Sequence, residues 1–514
     1  MNAETILDPI RKQLPGKTLA PAPEYPGDPH AGLMVLHRDA AKYALDDNGQ
    51  LTGLNLAGCG LDDAGWQSLL RALGEHAAGL RALNLAGNQL SRFDFTPELA
   101  RLEQLNLSRN QQLTQLVFSA PPRRLEKCFL RETGLTELAL PAGLDRLQWL
   151  DLRGSQLQRI AFDGPLPALE WLELSGNQLA ELPLKNGQSL QKPDDLEAIA
   201  PRLRELYLQK NPLPEVLRGF LENQSGNCLD IVQRHLRELK KGAEADNECK
   251  LLLIGNGFVG KTCFVERLVR NRFLDKWGST HAIFIEEQYP YEDWLLNIWD
   301  FGGQDIYHAT HRLFMQANSV YLLFWDAESE EKKYSPPLDE SGEVRHYENF
   351  TLDYWLDYAR TRGRDKVPAI VVQTKTGRDG KKDRPDIRER YTDHFRLLEF
   401  EHIESKEPDF KKNGYRDLLN AIDNAVSTIK PPGAALPANY AAIRRQLRDL
   451  RLAGDNYLDL DDYLDRASKL DIESPMDVLK TWLTGTGVVF YREGLFQNKI
   501  ILDQAWAIRT IYTI

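Results

Sequence analysis

The sequence predicts a multidomain chain of three architectures: an α/β repeat solenoid, a doubly wound α/β phosphate-binding domain, and a small α+β part at the C-terminal end. Three observations predict it. A leucine pattern returns every 22 or 23 residues from Leu80 to Leu169. A short apolar run ends directly in a glycine-rich loop carrying Lys261 and Thr262. Beyond that loop, apolar runs of strand length alternate with stretches of helical spacing. A length of 514 residues suits three or four domains, each large enough for its own core.

Composition excludes several classes. A net charge of −11 and a pI of about 5.6 give no electrostatic footprint for nucleic acid. Apolar runs stop at the length of Ser319–Trp325, a buried strand rather than a membrane span. The N-terminus has no charged stretch followed by an apolar one, so no signal peptide is expected. The cysteines at 59, 128, 228, 249 and 263 are odd in number and lack paired spacing, which argues against disulfides or zinc. A cytoplasmic location is expected.

Residues 1–50 read as a lead-in, with a proline-rich stretch over Pro21–Pro29. Residues 51–215 carry the repeat. Leucine-x-x-leucine-x-leucine begins at Leu80, Leu102, Leu147, Leu169 and Leu203, and Leu125 begins a variant with Cys128. Asn88, Asn110, Asn177 and Asn211 hold the ninth position. An earlier unit starts at Leu51, and Trp66 to Leu73 has helical spacing. This pattern matches leucine-rich repeats, whose strands each need stacked neighbours to complete a core. The ninth-position Asn has the groups to bond backbone in the adjacent turn. Strand alternation then turns Trp149, Asp151 and Arg153 outward, with Phe129, Arg131, Trp171, Glu173 and Tyr207 in matching places. Phe129, Trp149, Trp171 and Tyr207 form the candidate protein-binding face, because aromatics beside arginine are frequent interface anchors. The alternative is that Trp149 and Trp171 stack only on each other. The ligand of this face would be a protein or an internal domain.

Residues 216–247 read as a capping helix and connector, from Val216, Leu217, Phe220 and Leu221 to Leu236 and Leu239. The strand candidate Cys249–Ile254 then runs into Gly255-Asn256-Gly257-Phe258-Val259-Gly260-Lys261-Thr262, a full match to G-x-x-x-x-G-K-[ST]. Such a loop cradles phosphates with backbone N–H groups, and the helix that follows adds its positive end. Lys261 would bridge β- and γ-phosphates, and Thr262 would hold Mg²⁺. Cys263 opens the helix, where a small side chain fits.

Three further features set the kind of phosphate-loop protein. Thr280 stands 18 residues past Thr262, and Phe273 stands seven before Thr280. Trp294–Trp299 leads into Asp300-Phe-Gly-Gly303-Gln304, a D-x-x-G-Q pattern with one acidic residue rather than two. These spacings resemble Ras-like GTPases. The resemblance implies that Phe273 packs on guanine and that Thr280 reaches Mg²⁺ and the γ-phosphate. It likewise assigns Asp300 to Mg²⁺, Gly303 to the γ-phosphate and Gln304 to the attacking water. Asp300 through Phe314 (DFGGQDIYHATHRLF) resembles the switch region of Roc domains in Roco proteins, a family that joins leucine-rich repeats, a Roc GTPase and a COR domain in this order. The Roc domain would span 248–430. Arg312, or an arginine from a second subunit, could serve as an arginine finger. His308 and His311 read as packing groups of the switch rather than catalytic ones.

The resemblance departs at the base. A guanine-specific strand end usually reads N-K-x-D, with the Asp carboxylate on guanine N1 and N2. Here the register gives Thr374-Lys375-Thr376-Gly377, which supplies no carboxylate; Asp379, two residues later, is the candidate acceptor if the loop is rearranged. Losing that match costs about 1–3 kcal/mol and most selectivity against adenine. Glu404-Ser405-Lys406 is the nearest counterpart of the other base motif.

Pro431–Pro437 reads as a hinge, within 431–438. Residues 439–514 read as helices followed by a strand pair, Gly487–Tyr491 and Lys499–Leu502. They resemble the winged-helix-like first part of a COR domain. The chain ends inside that domain, so a truncated or unusually short relative is expected. A dimer through Roc and COR would be weakened by the missing second half. The resemblance therefore implies a GTP- and Mg²⁺-dependent switch enzyme of slow turnover. Two other readings stand beside it: a scaffold whose nucleotide domain barely hydrolyses, and an ATPase signalling module.

Overall fold

Each leucine unit contributes one short strand, and the strands stack because no single unit can bury its own leucines. The computed structural model describes residues 7–8, 10–12, 14, 17–21, 40–185, 188–190, 193–222, 224–273, 283–302, 319–334, 348–362, 366–376, 385–409, 412, 414–430 and 433–513. These divide into two compact units, 1–240 and 241–514.

In the first unit a nine-stranded sheet runs from Thr18–Pro21 to Glu205–Tyr207 among the described residues. Its pairs are parallel except Ala40–Leu45 against Leu51–Asn55. Part of the expected lead-in is thus ordered edge strand, and Leu7, Ile10 and Leu14 are buried with the repeat core. Leu83, Leu105 and Leu150 are fully buried. Helix Asp63–Leu73 starts at Asp62, whose carboxylate accepts from the Gly65 N–H at 2.7 Å.

The asparagines join the turns into a ladder. Asn110 donates to Leu85 O at 3.0 Å and Leu107 O at 2.8 Å, and accepts from Leu90 N–H at 3.1 Å. Asn88, Asn177 and Asn211 repeat this pattern of bonds. Where the ninth position is Thr133 or Ser155, the two hydroxyls stand 2.9 Å apart and each lies within hydrogen-bond reach of Leu130 O. Two short side chains cover the work of one amide.

In the second unit the strands are β1 (Glu248–Ile254), β2 (Ile283–Tyr291), β3 (Trp294–Phe301), β4 (Ser319–Trp325), β5 (Pro368–Gln373) and β6 (Leu397–His402). Their order is β2-β3-β1-β4-β5-β6, parallel apart from the edge pair β2–β3. Helices α1 (Lys261–Arg270) and α3 (Tyr415–Ile429) pack on one face, and α2 (Leu352–Arg362) lies on the other. β1 and β4 are buried on both faces, which is why they read as unbroken apolar runs.

The expected hinge is different. Ala434–Pro437 is a strand, paired antiparallel with Ala243–Asp246. The prolines hid it, yet Pro437 sits at the strand end, where its missing N–H costs nothing. Helix α4 (Ala438–Leu452) follows directly. Its arginines meet carboxylates of the sheet edge: Arg444 with Asp246 and Glu248, Arg448 with Glu248, Arg451 with Glu287. Burial would raise the Asp246 pKa, but Lys430 at 2.7 Å and Arg444 at 3.0 Å outweigh it and hold the carboxyl below its usual range. A strand pair does form further on, but as Tyr457–Leu458 with Ile500–Ile501, and Gly487–Tyr491 contributes only a bridge at Phe490.

Candidate functional site

β1 ends at Ile254, and the chain must turn sharply to begin α1. Gly255 makes the turn at φ +138°, and a Cβ there would stand 2.2 Å from Phe324 O. Gly260, at φ +99°, forms the N-terminal boundary of α1 and leaves its first N–H groups uncovered by any side chain. Phe258 adopts a left-handed φ of +62°, while Val259 is fully buried in the core beneath. These are the features of a backbone anion cradle.

Two side chains furnish the cradle. Lys261 is buried, and its ammonium donates to Gly255 O at 2.8 Å and Asn256 O at 2.7 Å. Burial pushes its pKa down to about 8, with Asp300 acting in the opposite direction. Thr262 Oγ1 donates to Asp300 Oδ2 at 2.5 Å, so the two residues expected at a metal meet at the end of β3. Asp300 is fully buried. A hydroxyl and a carboxylate are hard oxygen donors and suit Mg²⁺ beside phosphate. Cys263 is half-buried on the first turn of α1.

Asn256 turns away from the cradle. Its Nδ2 donates to Phe350 O at 2.8 Å, and its Oδ1 accepts from Phe350 N–H at 2.9 Å and Trp355 Nε1 at 3.0 Å. The side chain thus imitates a strand partner and fastens the loop to the start of α2. Gly257 contributes only backbone. The sequence places Asn256 in the loop but carries no signal for this anchoring.

At the other end, Thr374 Oγ1 donates to Val259 O at 2.5 Å, joining the end of β5 to the phosphate loop. Lys375 Nζ pairs with Asp326 Oδ2 at 3.1 Å; Asp326 in turn caps a short helix by accepting from Ser329 N–H. Lys406 Nζ lies 5.9 Å from the centre of the Phe273 ring. Of the residues expected at the base, Thr374 is thus joined to the phosphate loop, Lys375 to Asp326, and Lys406 to Phe273. Thr280, Gly303, Gln304, His308, His311, Arg312, Gly377 and Asp379 lie outside the described residues.

On the repeat sheet, Trp149 and Trp171 stack at 4.1 Å with planes 8° apart, and Tyr207 tilts against Trp171 at 4.8 Å. Phe129 sits beside Asp151 in register. Asp151 and Glu173 were expected outward but are buried. Each accepts from the N–H two residues on, Arg153 and Ser175, and Arg131 covers Asp151 with a guanidinium bond at 2.6 Å. Alternation gives the side of the sheet and is silent on what roofs it.

Comparisons agree with this geometry. Residues 250–377 match the family model described as Roc, Ras of Complex, domain of DAPkinase. A Roc-COR-CHAT protease from an unidentified prokaryote is 27% identical over 425 residues, covering 71% of this chain and 37% of that protein. A second, from Runella zeae, is 25% identical over 336 residues, covering 59% of this chain and 33% of that one. The chain thus spans about a third of the length of these relatives. The GDP-bound RocCORdC structure of Methanosarcina barkeri Roco2 is 22% identical, with a TM-score of 0.41 over 53% of this chain and 77% of that one. No helix among the described residues is long and apolar enough to cross a membrane. Residues 250–377 thus match a Roc domain, and the chain around them is similar to prokaryotic Roc-COR proteins.

Proposed function

We propose that this chain is a GTP-binding and GTP-hydrolysing switch whose nucleotide state is coupled to a leucine-rich-repeat interaction domain. The observation that carries the proposal is the cradle of Gly255, Gly260, Lys261 and Thr262 at the end of a central parallel strand, with Asp300 at 2.5 Å from Thr262. Roc, Ras of Complex, is the family that residues 250–377 match, and its Ras-like character supports guanine nucleotide as the ligand.

In this reading the backbone N–H groups at the start of α1 hold the phosphates, and Lys261 neutralises charge between them. Thr262, Thr280 and Asp300 would hold Mg²⁺, which supplies charge stabilisation at the phosphate oxygens when bound. Gly303 senses the γ-phosphate, and Gln304 orients the water that attacks it. Phe273, Thr374 and Lys375 flank the base and ribose.

The proposed domains are repeats at 51–215, a Roc domain at 248–430 and COR-type sequence at 439–514. A route for coupling exists inside the second unit. Phe490, Ile501, Ala507 and Ile508 share one core with Ile283, Trp299 and Phe301 of β2 and β3, the strands that flank the two switch segments. Gly487, at φ +77°, approaches so closely that a Cβ would meet Trp299 at 2.8 Å. A shift in those strands must repack this core. The aromatic stack of Trp149, Trp171 and Tyr207, with Phe129 nearby, is the proposed docking face for a protein partner.

The test is titration of the purified chain with GDP, GTP and ATP, each with Mg²⁺, beside Lys261→Ala and Gln304→Leu. The expected result is guanine binding that Lys261→Ala removes, and slow turnover that Gln304→Leu removes while binding stays. Equal affinity for ATP, or turnover untouched by Gln304→Leu, would overturn it.

A further inference from the structure

The end of β5 lacks the carboxylate that would read guanine, because Gly377 stands in its place. A base site without an acceptor would leave the N1–H and N2–H donors of guanine unmatched, at a cost in both affinity and selectivity. Another carboxylate stands beside that strand end.

β5 and β6 finish side by side. Gln373 and His402 are register partners, and Ile403 N–H donates to Gln373 O at 2.8 Å. Past β6, Ile403 is buried, and Glu404 follows it as Lys375 follows Thr374 beyond β5. Its turn is rigid. Ser405 is buried, with its hydroxyl 2.9 Å from the Tyr415 hydroxyl, and its carbonyl accepts from Arg267 Nε at 3.0 Å. Arg267 belongs to α1, so the turn is tied to the helix that starts at the phosphate loop. Ser405 is directed into the core, Lys406 reaches over Phe273, and the Glu404 carboxylate accepts from Lys406 N–H at 3.1 Å. The Glu404 carboxylate is thus tied to the residue that reaches Phe273, the ring proposed to pack on the base. The next acidic residue, Glu407, is engaged one step further round, accepting from Asp409 N–H at 3.1 Å.

We infer that Glu404 is the guanine-reading residue of this domain, its carboxylate taking the N1–H and N2–H donors in place of the acid missing at Gly377. The inference rests on the nucleotide-switch reading above. Glu404 is a specificity-determining residue and takes no part in phosphate chemistry. A two-oxygen acceptor matches two parallel N–H donors.

The chemistry offers a test that a structural role cannot imitate. Xanthine keeps the N1–H donor but replaces the 2-amino group with an oxygen. A glutamine amide presents one acceptor and one donor, complementary to xanthine and mismatched to guanine. Calorimetric titration of wild type, Glu404→Gln and Asp379→Asn with GDP and xanthosine diphosphate, each with Mg²⁺, reads the outcome. Glu404→Gln is expected to lose at least tenfold in GDP affinity and to gain at least tenfold for xanthosine diphosphate, while Asp379→Asn leaves both unchanged. A gain of affinity cannot arise from a misfolded variant. Unchanged GDP binding in Glu404→Gln, an equal loss of both ligands, or the reversal appearing in Asp379→Asn would each overturn the assignment alone. Absence of GDP binding by the wild type would overturn the switch reading and the assignment together.

Discussion

The proposed phosphate end and base end of the site are built on opposite principles. The phosphate end is backbone: two glycines at positive φ, an uncovered helix start and a buried lysine folded over its own loop. The base end is side chain: Thr374, Lys375, Glu404 and Lys406 on the ends of adjacent strands, tied back to α1 through Arg267. Backbone devices tolerate almost no substitution, because they depend on the absence of atoms. Side-chain devices can move from one strand end to the next, because only the chemistry delivered to the ligand matters.

The largest effect should come from adding a single atom group to the phosphate end. Gly255→Ala places a Cβ 2.2 Å from Phe324 O at a φ that L-residues rarely adopt. We expect a loss of about 3–5 kcal/mol in stability and no measurable GDP binding. Gly260→Ala, whose Cβ would have 3.7 Å to Thr374, should fold with strain alone, about 1–3 kcal/mol. Equal melting temperatures for the two variants would refute the steric account. Asn256→Ala comes next. It strands the Phe350 N–H and the Trp355 indole N–H, at about 2–4 kcal/mol in total. GDP affinity should fall at least tenfold, while the preference between guanine and hypoxanthine nucleotides stays fixed. A changed preference would mean that Asn256 serves the base end after all.

The ends should also separate by pH. Desolvation holds the Lys261 pKa near 8, well below the ordinary lysine value. Bound phosphates would stabilise its charged form and raise that pKa, so binding takes up a proton above pH 8. Affinity for GDP should therefore be flat below pH 8 and fall by up to about tenfold per unit above it. Lys261→Arg, which stays charged, should flatten the profile even where it weakens binding. A profile that still bends near 8 in that variant would assign the titration elsewhere.

Legibility in the sequence follows the same division. The phosphate loop was readable because glycines and a lysine at fixed spacing have few other uses. The repeats were readable because leucine and asparagine periods reflect a packing rule. Anchoring by Asn256 was not, since its partners Phe350 and Trp355 lie about a hundred residues away and nothing local marks them. Burial of Asp151 and Glu173 was missed because alternation assigns a face while Arg131 supplies the cover. The strand at Ala434–Pro437 was hidden by the proline content around it, although Pro437 sits at the strand end. At the base end the sequence showed a missing acid at Gly377, and only the register of β5 with β6 brought Glu404 to the end of β5.

The smallest expected effect lies where the two ends touch. Thr374 Oγ1 donates to Val259 O, so this hydroxyl binds the base-bearing strand end to the phosphate loop. Thr374→Val keeps the shape and removes the donor, leaving a buried carbonyl with one partner fewer. A neutral hydrogen bond of this kind contributes about 1 kcal/mol net. If the bond is only structural, the melting temperature drops by a few degrees and GDP affinity is unchanged. If it couples the ends, GDP affinity falls by about fivefold, the same figure expressed in binding, and the fall is shared equally by guanosine, inosine and xanthosine diphosphates. Equality is the discriminating point: a coupling contact sees the strand end move whatever base it carries. A loss confined to guanosine diphosphate would instead place Thr374 among the residues that read the base, and the separation of the two ends would fail at this residue.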